Sequence, residues 1–327
     1  MKNIRLLLLT LGLGALLLAC EPLAPQTAQQ VIVVTNTPTF ALLPSSTALL
    51  VNNIPSPTPQ PSLAPSATVI ATPTLPPCTQ ENGRLFESAF NSAITDGLVP
   101  YNLYLPPCFF ESGRRFPLLI LLHGSGYIYR QWGELGLAAE MDAGLAEERY
   151  APMVIAMPEG GLLQENNTFE PGASLEDLIL SELVPHLEER LCLQAGQRAI
   201  GGISRGGFWA FSMALRNPDQ FVSVGGHSPF FVPDNAPTSH NPLALAAFAE
   251  GLEGVGMYLD NAQNDLGGAN NLLIAATLQE RGLQVEHVIH PTGDHSNDYW
   301  SEHVPDYLSF YSAPWARRLE DLPTCQS

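Results

Sequence analysis

Ser204 has sequence neighbours that suit a catalytic nucleophile. It occupies the centre of the pentapeptide 202–206, Gly-Ile-Ser-Arg-Gly, between an apolar run and residues with a helical pattern. The spacing G-x-S-x-G at a strand–helix junction is typical of a nucleophile elbow, where a tight turn lifts the serine hydroxyl clear of the sheet. A dinucleotide-binding loop needs the different glycine spacing G-x-G-x-x-G. The pattern therefore predicts that Ser204 is a nucleophile.

A nucleophilic serine needs a base that takes its proton and an acid that orients the base. His295 follows the predicted strand 285–289, and Asp265 follows the predicted strand 256–259. Because α/β-hydrolases place serine, acid and histidine in this chain order, His295 is the predicted base and Asp265 the predicted acid. Asp260 stays open as an alternative acid, since it lies at the end of the earlier strand. Other histidines are interpreted as structural or solvent-facing: His123, His227, His287, His290 and His303.

A glycine-rich loop upstream suits the stabilisation of negative charge. Residues 123–126, His-Gly-Ser-Gly, follow the predicted strand 117–122. In an acyl-transfer site, two backbone N–H groups hydrogen-bond the developing oxyanion, and glycines let the loop approach closely. One N–H would come from Arg205, directly after the serine, and the other from Gly124 or Ser125.

Several aromatic side chains near these segments are candidates to line an acyl or aryl pocket. For each of them, ordinary core packing is the favoured alternative. The Arg205 side chain could meet an acidic group of a substrate or pair with a surface carboxylate, and the second interpretation is favoured. The aromatic pocket candidates are Tyr127, Trp132, Phe208, Trp209 and Trp300.

Apolar runs alternate with helical patterns along most of the chain, which indicates a mainly parallel sheet with helices on both faces. Two further strands at the start form a predicted antiparallel hairpin. The fold class is therefore α/β, with the architecture of an α/β-hydrolase. Predicted strands cover 84–91, 99–105, 117–122, 153–157, 198–203, 222–226, 256–259 and 285–289. Predicted helices cover 133–148, 175–191, 207–216, 242–251 and 269–281.

The N-terminal quarter of the chain has a different composition. Residues 1–19 combine a short basic start with an apolar run, and Cys20 follows directly. The end of this run together with Cys20 resembles a bacterial lipobox, which implies cleavage before Cys20 and lipidation of that cysteine. Residues 20–77 are rich in proline, threonine and serine, so they are expected to form a semi-rigid tether. Residues 78–327 form the predicted catalytic domain. The protein is thus expected to be exported and held at the cell membrane by lipid alone.

Four cysteines remain apart from Cys20, and an even number in an exported protein suggests two disulfides. Cys78 and Cys108 flank the predicted hairpin at its open end, which favours a bridge between them. Cys192 and Cys325 would then pair by elimination. No cysteine or histidine spacing indicates a zinc site.

The chain carries 32 acidic against 14 basic residues, for a net charge of −18. A nucleic-acid partner would require a basic face, and adhesion to anionic lipid would require a polybasic patch, so the composition argues against both. The acidity is expected to keep the surface soluble through self-repulsion.

Four stretches resemble the "putative esterase" family of α/β-hydrolases, which includes S-formylglutathione hydrolases, feruloyl, acetylxylan and enterochelin esterases and bacterial mycolyltransferases. The resemblance covers about 84–312, and it supports Ser204, Asp265 and His295 as the catalytic residues. Family members often place a glycine three residues before the acid; here that position is Ala262, which keeps the alternative acid open. The stretches are 104–107, 117–124, 198–209 and 293–300.

The leading hypothesis is hydrolysis of carboxylic esters through an acyl-enzyme, with a small-molecule or carbohydrate-linked ester as substrate. The alternatives are an acyltransferase that uses the same residues and a non-catalytic surface lipoprotein. The chemistry requires neither metal nor organic cofactor. Oligomeric state stays open.

Overall fold

The computed structural model describes residues 78–234 and 236–325. These residues form a single eight-stranded sheet with helices on both sides. The predicted lipidation site at Cys20 and the predicted tether lie outside the described residues. The strands are β1 (Arg84–Ser92), β2 (Gly97–Leu105), β3 (Phe116–Leu122), β4 (Val154–Pro158), β5 (Leu193–Ile203), β6 (Ser223–His227), β7 (Gly256–Ala262) and β8 (Val285–His290).

The order of strands across the sheet is β1-β2-β4-β3-β5-β6-β7-β8. β1 pairs antiparallel with β2 in full register, from Arg84 opposite Leu105 to Ser92 opposite Gly97. β2 also runs antiparallel to β4, and every other neighbouring pair is parallel. The carboxyl ends of β3 to β8 therefore meet along one edge, where ligands bind in open α/β sheets.

The central strands are apolar along their whole length because helices cover both of their faces. Every residue of β3, β4 and β6 is buried. A strand exposed on one face would instead alternate apolar and polar residues. The continuous runs that predicted a parallel sheet from sequence thus reflect this double cover, and the α/β prediction is confirmed.

The helices lie between these strands and mostly match the predicted segments. One of them changes hydrogen-bonding pattern within its length, since α4 continues through a π-helical turn (Leu178–Leu183) into α5. The helices are α1 (Gln131–Glu134), α2 (Leu137–Ala146), α3 (Gly161–Glu165), α4 (Leu175–Asp177), α5 (Val184–Glu188), α6 (Arg205–Arg216), α7 (Pro242–Phe248), α8 (Gly268–Glu280) and α9 (Asn297–Ser312).

Three helical features differ from the sequence prediction, and the first is that α3 lies outside every predicted helix. The single helix predicted over 133–148 is divided into α1 and α2, because Gly136 adopts a left-handed φ of 88° between them. α9 was absent from the predicted helices, and it contains Pro305. Its buried face includes three tyrosines rather than a purely aliphatic stripe, so apolar periodicity alone gives a weak signal there.

Both predicted disulfides are present. Cys78 and Cys108 pair at the open end of the β1–β2 hairpin, with Cα atoms 5.6 Å apart. Cys192, just before β5, pairs with Cys325 near the C-terminus across 6.0 Å between Cα atoms. No helix within 78–234 or 236–325 has the length and apolar character needed to cross a membrane.

Candidate active site

Ser204 occupies a strained turn between β5 and α6. Its φ of 53° and ψ of −113° lie in a region that non-glycine residues rarely adopt. Two backbone hydrogen bonds hold this conformation: the Ser204 N–H donates to the His227 carbonyl at 2.9 Å, and the Phe230 N–H donates to the Ser204 carbonyl at 3.1 Å. The end of β6 thus supports the turn directly.

The flanking glycines are required by close backbone contacts. A Cβ atom on Gly202 would lie 2.3 Å from the carbonyl carbon of Gly206. A Cβ atom on Gly206 would lie 2.5 Å from the His123 carbonyl oxygen. The strand–turn–helix context that the pentapeptide predicted is therefore observed, together with the steric reason for its glycines.

Ser204, His295 and Asp265 form a continuous chain of hydrogen bonds. Ser204 Oγ lies 2.9 Å from His295 Nε2, and His295 Nδ1 lies 2.9 Å from Asp265 Oδ2. An ionised carboxylate only accepts hydrogen bonds, so Nδ1 carries the proton and the Nε2 lone pair faces the serine hydroxyl. The three predicted residues are thus brought together from the ends of β5, β7 and β8.

Asp265 is held in its ionised form. Its second oxygen, Oδ1, accepts a hydrogen bond from the Gly267 N–H at 2.8 Å. Burial raises the pKa of the Asp265 carboxyl, but the hydrogen bonds from His295 and Gly267 outweigh burial and leave the pKa below its ordinary value. A buried negative charge therefore faces the side of the imidazole opposite Ser204.

The loop that carries His295 is packed against the start of α9. The Trp300 ring meets the His295 ring edge to face, with centroids 5.0 Å apart. Gly293 has a φ of 109°, and a Cβ atom there would lie 2.4 Å from the Tyr299 ring. These contacts leave the His295 side chain 28% exposed, so its imidazole can meet both Ser204 and a substrate.

Asp260, the alternative acid, has different partners. It is fully buried, and its carboxylate accepts hydrogen bonds from the hydroxyls of Tyr299 at 2.6 Å and Tyr307 at 3.0 Å. Its other oxygen lies 3.0 Å from His227 Nδ1. With all these contacts directed into the core, Asp260 does not reach His295, and Asp265 is the aspartate beside the base.

His227 completes this buried network as a neutral imidazole. Burial lowers the pKa of His227 despite the raising effect of Asp260. Since Nδ1 donates to the carboxylate, Nε2 accepts the hydrogen bond from the Tyr311 hydroxyl at 2.9 Å. His227 is therefore structural, as the sequence predicted. The network joins β6 and β7 to α9.

The glycine-rich loop after β3 presents a defined set of amides. The Gly124 N–H donates to Gln131 Oε1 at 2.7 Å and is already engaged. Gln131 Nε2 donates in turn to Asn297 Oδ1 at 2.9 Å, at the start of α9. Of the two predicted loop donors, the geometry therefore favours the Ser125 N–H as the partner of the Arg205 N–H.

Glu165, the last residue of α3, holds the same loop from the other side. Its carboxylate accepts a hydrogen bond from Ser125 Oγ at 2.5 Å and another from the Gly126 N–H at 3.0 Å. His123 is buried beneath, where its Nδ1 lies 2.8 Å from the Gly124 carbonyl oxygen. The loop is thus fixed before any substrate arrives.

Sequence reasoning missed Gln131 and Glu165. Trp132, an aromatic pocket candidate, follows Gln131 directly in the chain, but no candidate lay beside Glu165. Both accept hydrogen bonds from backbone amides outside their own helices, seven residues away for the Gln131–Gly124 bond and 39 residues away for the Glu165–Gly126 bond. A polar residue following a strand at the carboxyl edge of the sheet was the available signal for Glu165.

The aromatic candidates divide into core residues and one surface residue. Trp132 and Trp209 are buried, and their indole N–H groups donate to the carbonyls of Leu122 and Gln164. Because both rings are almost completely buried, neither is accessible to a substrate, and core packing is the correct interpretation for both. Phe208 is also fully buried. Trp300 is buried against the base, while Tyr127 is 38% exposed on the oxyanion loop.

One group of side chains in the described part of the chain has donor atoms close enough to hold a metal ion. His290, His303 and Asp306 place these atoms within 4.8 Å of one another. The His303 and Asp306 donors are 3.1 Å apart on one face of α9. The group shares no residue with the Ser204–His295–Asp265 chain, whose hydrogen bonds are complete without an ion.

Solved structures share this fold at low sequence identity. A ferulic acid esterase superposes with a TM-score of 0.65 at 22% identity, covering 72% of this chain and 100% of that one. S-formylglutathione hydrolase of Staphylococcus aureus gives a TM-score of 0.61 at 19% identity, covering 70% and 99%. These likenesses show the α/β-hydrolase fold.

Sequence relatives lead to one family. The curated esterases Rv1288 and MT1326, from two strains of Mycobacterium tuberculosis, are each 29% identical over 157 residues, which is 46% of this chain. The chain spans about a third of the length of these curated relatives, since the match covers 33% of each. The family model described as "Putative esterase" matches residues 92–311. With most of its length matched, the chain belongs to this esterase family of the α/β-hydrolase superfamily.

Proposed function

We propose that the protein is a serine esterase that hydrolyses carboxylic esters through an acyl-enzyme on Ser204. The hydrogen-bonded chain from Ser204 Oγ through His295 to Asp265, with 2.9 Å at each step, is the observation that carries the proposal. Membership of the esterase family supports the same reaction class.

In the acylation step, Ser204 Oγ attacks the carbonyl carbon of the ester as His295 Nε2 takes the hydroxyl proton. Asp265 stabilises the imidazolium that forms. The N–H groups of Arg205 and Ser125 hydrogen-bond the oxyanion of the tetrahedral intermediate. His295 then protonates the leaving alkoxide, and the alcohol departs.

Deacylation repeats these roles with water. His295 takes a proton from water as its oxygen attacks the acyl carbon, and the collapse of the second tetrahedral intermediate returns the proton to Ser204 Oγ. The carboxylic acid is released. Each step uses side chains and backbone amides of the chain itself.

The proposed substrate class is a small-molecule or carbohydrate-linked ester. Structural neighbours support it: a ferulic acid esterase from Anaeromyces mucronatus was solved in complex with ferulic acid, and a feruloyl esterase module from Clostridium thermocellum with sinapinate. The exposed ring of Tyr127 beside the oxyanion loop offers an apolar surface to such a group.

Labelling by a fluorophosphonate tests the proposal. The wild-type protein should be labelled at Ser204 and should cleave p-nitrophenyl esters of short acids. Ser204→Ala should abolish labelling and lower turnover by about 10⁶-fold, as for other serine triads. Ser309→Ala, which removes an exposed hydroxyl from α9, is the control and should keep its label. A wild-type protein that neither labels nor cleaves such esters would disprove the proposal.

We further propose that the enzyme acts outside the cytoplasm, held to the membrane by lipid on Cys20 at the end of the 20–77 tether. The two disulfides support export, because such bonds persist in oxidising compartments. Mass spectrometry of the N-terminal peptide tests this, since cleavage before Cys20 and lipidation both change its mass.

A further inference from the structure

Arg205 combines two positions in the fold. It directly follows Ser204, and it is the first residue of α6, a helix of 12 residues. The N-terminus of a helix carries partial positive charge, so acidic residues are favoured there and a cation is disfavoured. The first turn of α6 contains no acidic residue that would offset the arginine. Helix stability therefore gives no reason for this residue at this position.

The guanidinium of Arg205 is held by a neutral partner. Its Nη1 donates to Asn167 Oδ1 at 2.6 Å, in the segment after α3. Its Nε is buried and has no hydrogen-bond partner. Within residues 78–234 and 236–325, no carboxylate oxygen lies within the 4.0 Å of an ion pair with it. The favoured sequence interpretation, pairing with a surface carboxylate, is therefore wrong.

Most other arginines in the described part of the chain have a carboxylate partner. In a chain of net charge −18, six described arginines form ion pairs with glutamate or aspartate. Arg114 and Arg281 instead donate to backbone carbonyls. A partly buried guanidinium without a counter-charge is costly, and such groups concentrate at functional sites. The six paired arginines are Arg130, Arg149, Arg190, Arg198, Arg216 and Arg318.

Glu165 lies two residues before Asn167, but its carboxylate binds the oxyanion loop and not Arg205. Both of its oxygens accept hydrogen bonds from the oxyanion loop, from Ser125 Oγ and from the Gly126 N–H. The same short segment thus fixes the oxyanion loop with a carboxylate and steadies Arg205 with an amide. The arginine is oriented without being neutralised.

We propose that the Arg205 side chain is a specificity determinant that binds an anionic group on the ester substrate. The inference rests on the proposed esterase function and adds a substrate class to it: esters whose acyl or alcohol part carries a carboxylate or a comparable anion. A guanidinium suits this task because its planar N–H groups match the oxygens of such groups. The anionic group of the substrate would then lie within the length of one arginine side chain from Ser204.

Paired esters that differ in one charge test the inference. The first pair is the p-nitrophenyl half-ester of adipic acid against p-nitrophenyl hexanoate, with the charge on the acyl part. The second is 3-carboxy-4-nitrophenyl acetate against p-nitrophenyl acetate, with the charge on the leaving group. The measured quantity is the ratio of kcat/KM for the charged ester to that for its neutral partner.

Arg205→Gln should lower this ratio about tenfold for at least one pair, as expected for a charge-assisted contact at a partly exposed site. Arg205→Lys should keep part of the ratio. Raising NaCl from about 0.05 M to about 0.5 M should lower the wild-type ratio toward that of the glutamine variant. Arg317→Gln is the matched control, because it removes one exposed charge that has no ion pair, five residues beyond the end of α9.

The inference is overturned if, for both pairs of esters, the ratio measured for Arg205→Gln stays within about twofold of the ratios for the wild type and for Arg317→Gln. Fluorophosphonate labelling of the same wild-type sample separates this result from failure of the proposed function. A labelled enzyme with unchanged ratios is an esterase without an anion subsite. An unlabelled protein is no serine esterase at all.

Discussion

Asp260 and Asp265 illustrate how two aspartates five residues apart take separate roles. Asp260 lies within the buried strand β7 and is enclosed by donors from the core, whereas Asp265 lies in the following loop and faces His295. The distinction depends on which side of the sheet edge each carboxylate reaches. It predicts that one residue matters chiefly for turnover and the other chiefly for stability.

Asparagine substitutions separate these roles. Asp265→Asn should lower kcat by about 10⁴-fold, because an amide no longer holds the imidazole in the required tautomer. Asp260→Asn should instead lower the free energy of unfolding by about 3–5 kcal/mol, as for a broken buried ionic network. Steady-state kinetics and denaturant unfolding of both variants check this. Equal kinetic losses in the two variants, measured where both are folded, would contradict it.

At the scale of elements, the oxyanion loop is held by α1 and α3 in addition to its own residues. Gln131 of α1 engages the Gly124 N–H, and Glu165 of α3 engages Ser125 and Gly126. α9 enters the same arrangement through Asn297 and through the packing of Trp300 on the base. The donors and the base are thus positioned by helices that sequence analysis had placed elsewhere or not at all.

Glu165→Ala should loosen the oxyanion loop and lower kcat about tenfold or more, with a smaller change in KM. The reason is that the Ser125 N–H acts on charge present only in the transition state, where one lost donor typically removes 10²–10³-fold in rate. Kinetics with a neutral short-chain ester measure the effect. Glu170→Ala, which removes an exposed carboxylate from the same segment, should leave both constants unchanged. A loss confined to KM would indicate a substrate contact instead.

At the scale of the molecule, two disulfides close the catalytic domain at its ends. The Cys78–Cys108 bridge spans 30 residues, and the Cys192–Cys325 bridge spans 133. The second bridge joins the C-terminal segment to the start of the strand that leads to Ser204. It is reinforced by the Cys325 N–H, which donates to the Gly113 carbonyl at 2.8 Å.

Removing the longer bridge should destabilise the protein more than removing the shorter one. The chain-entropy relation gives a loss of about 5 kcal/mol for the Cys192→Ser, Cys325→Ser double variant and about 3.6 kcal/mol for the Cys78→Ser, Cys108→Ser variant. Denaturant unfolding of the wild-type protein and the two variants measures both losses. The reverse order of stabilities would show that strain or residual structure in the unfolded chain outweighs loop length.

The amino-acid sequence by itself determined the fold class, the elbow serine and the order of acid and base, and it favoured the two disulfide pairs that the structure shows. The fold class and the elbow are visible in local pattern: apolar runs reveal buried strands, and the close contact of Gly202 with Gly206 lies within the pentapeptide itself. The resemblance to the esterase family supported the same catalytic residues, and the structure confirmed the α/β fold. Boundaries agreed within a few residues for the strands that carry the site.

Only the tertiary structure decided which aspartate faces His295, which amide of the oxyanion loop is free, and what surrounds Arg205. Each answer depends on contacts between residues far apart in the chain, such as Gln131 with Asn297 or Arg205 with Asn167. Local pattern carries no information about such partners, because packing of whole elements sets them. The favoured interpretation put a surface carboxylate beside Arg205, and the fold placed the Asn167 amide there instead.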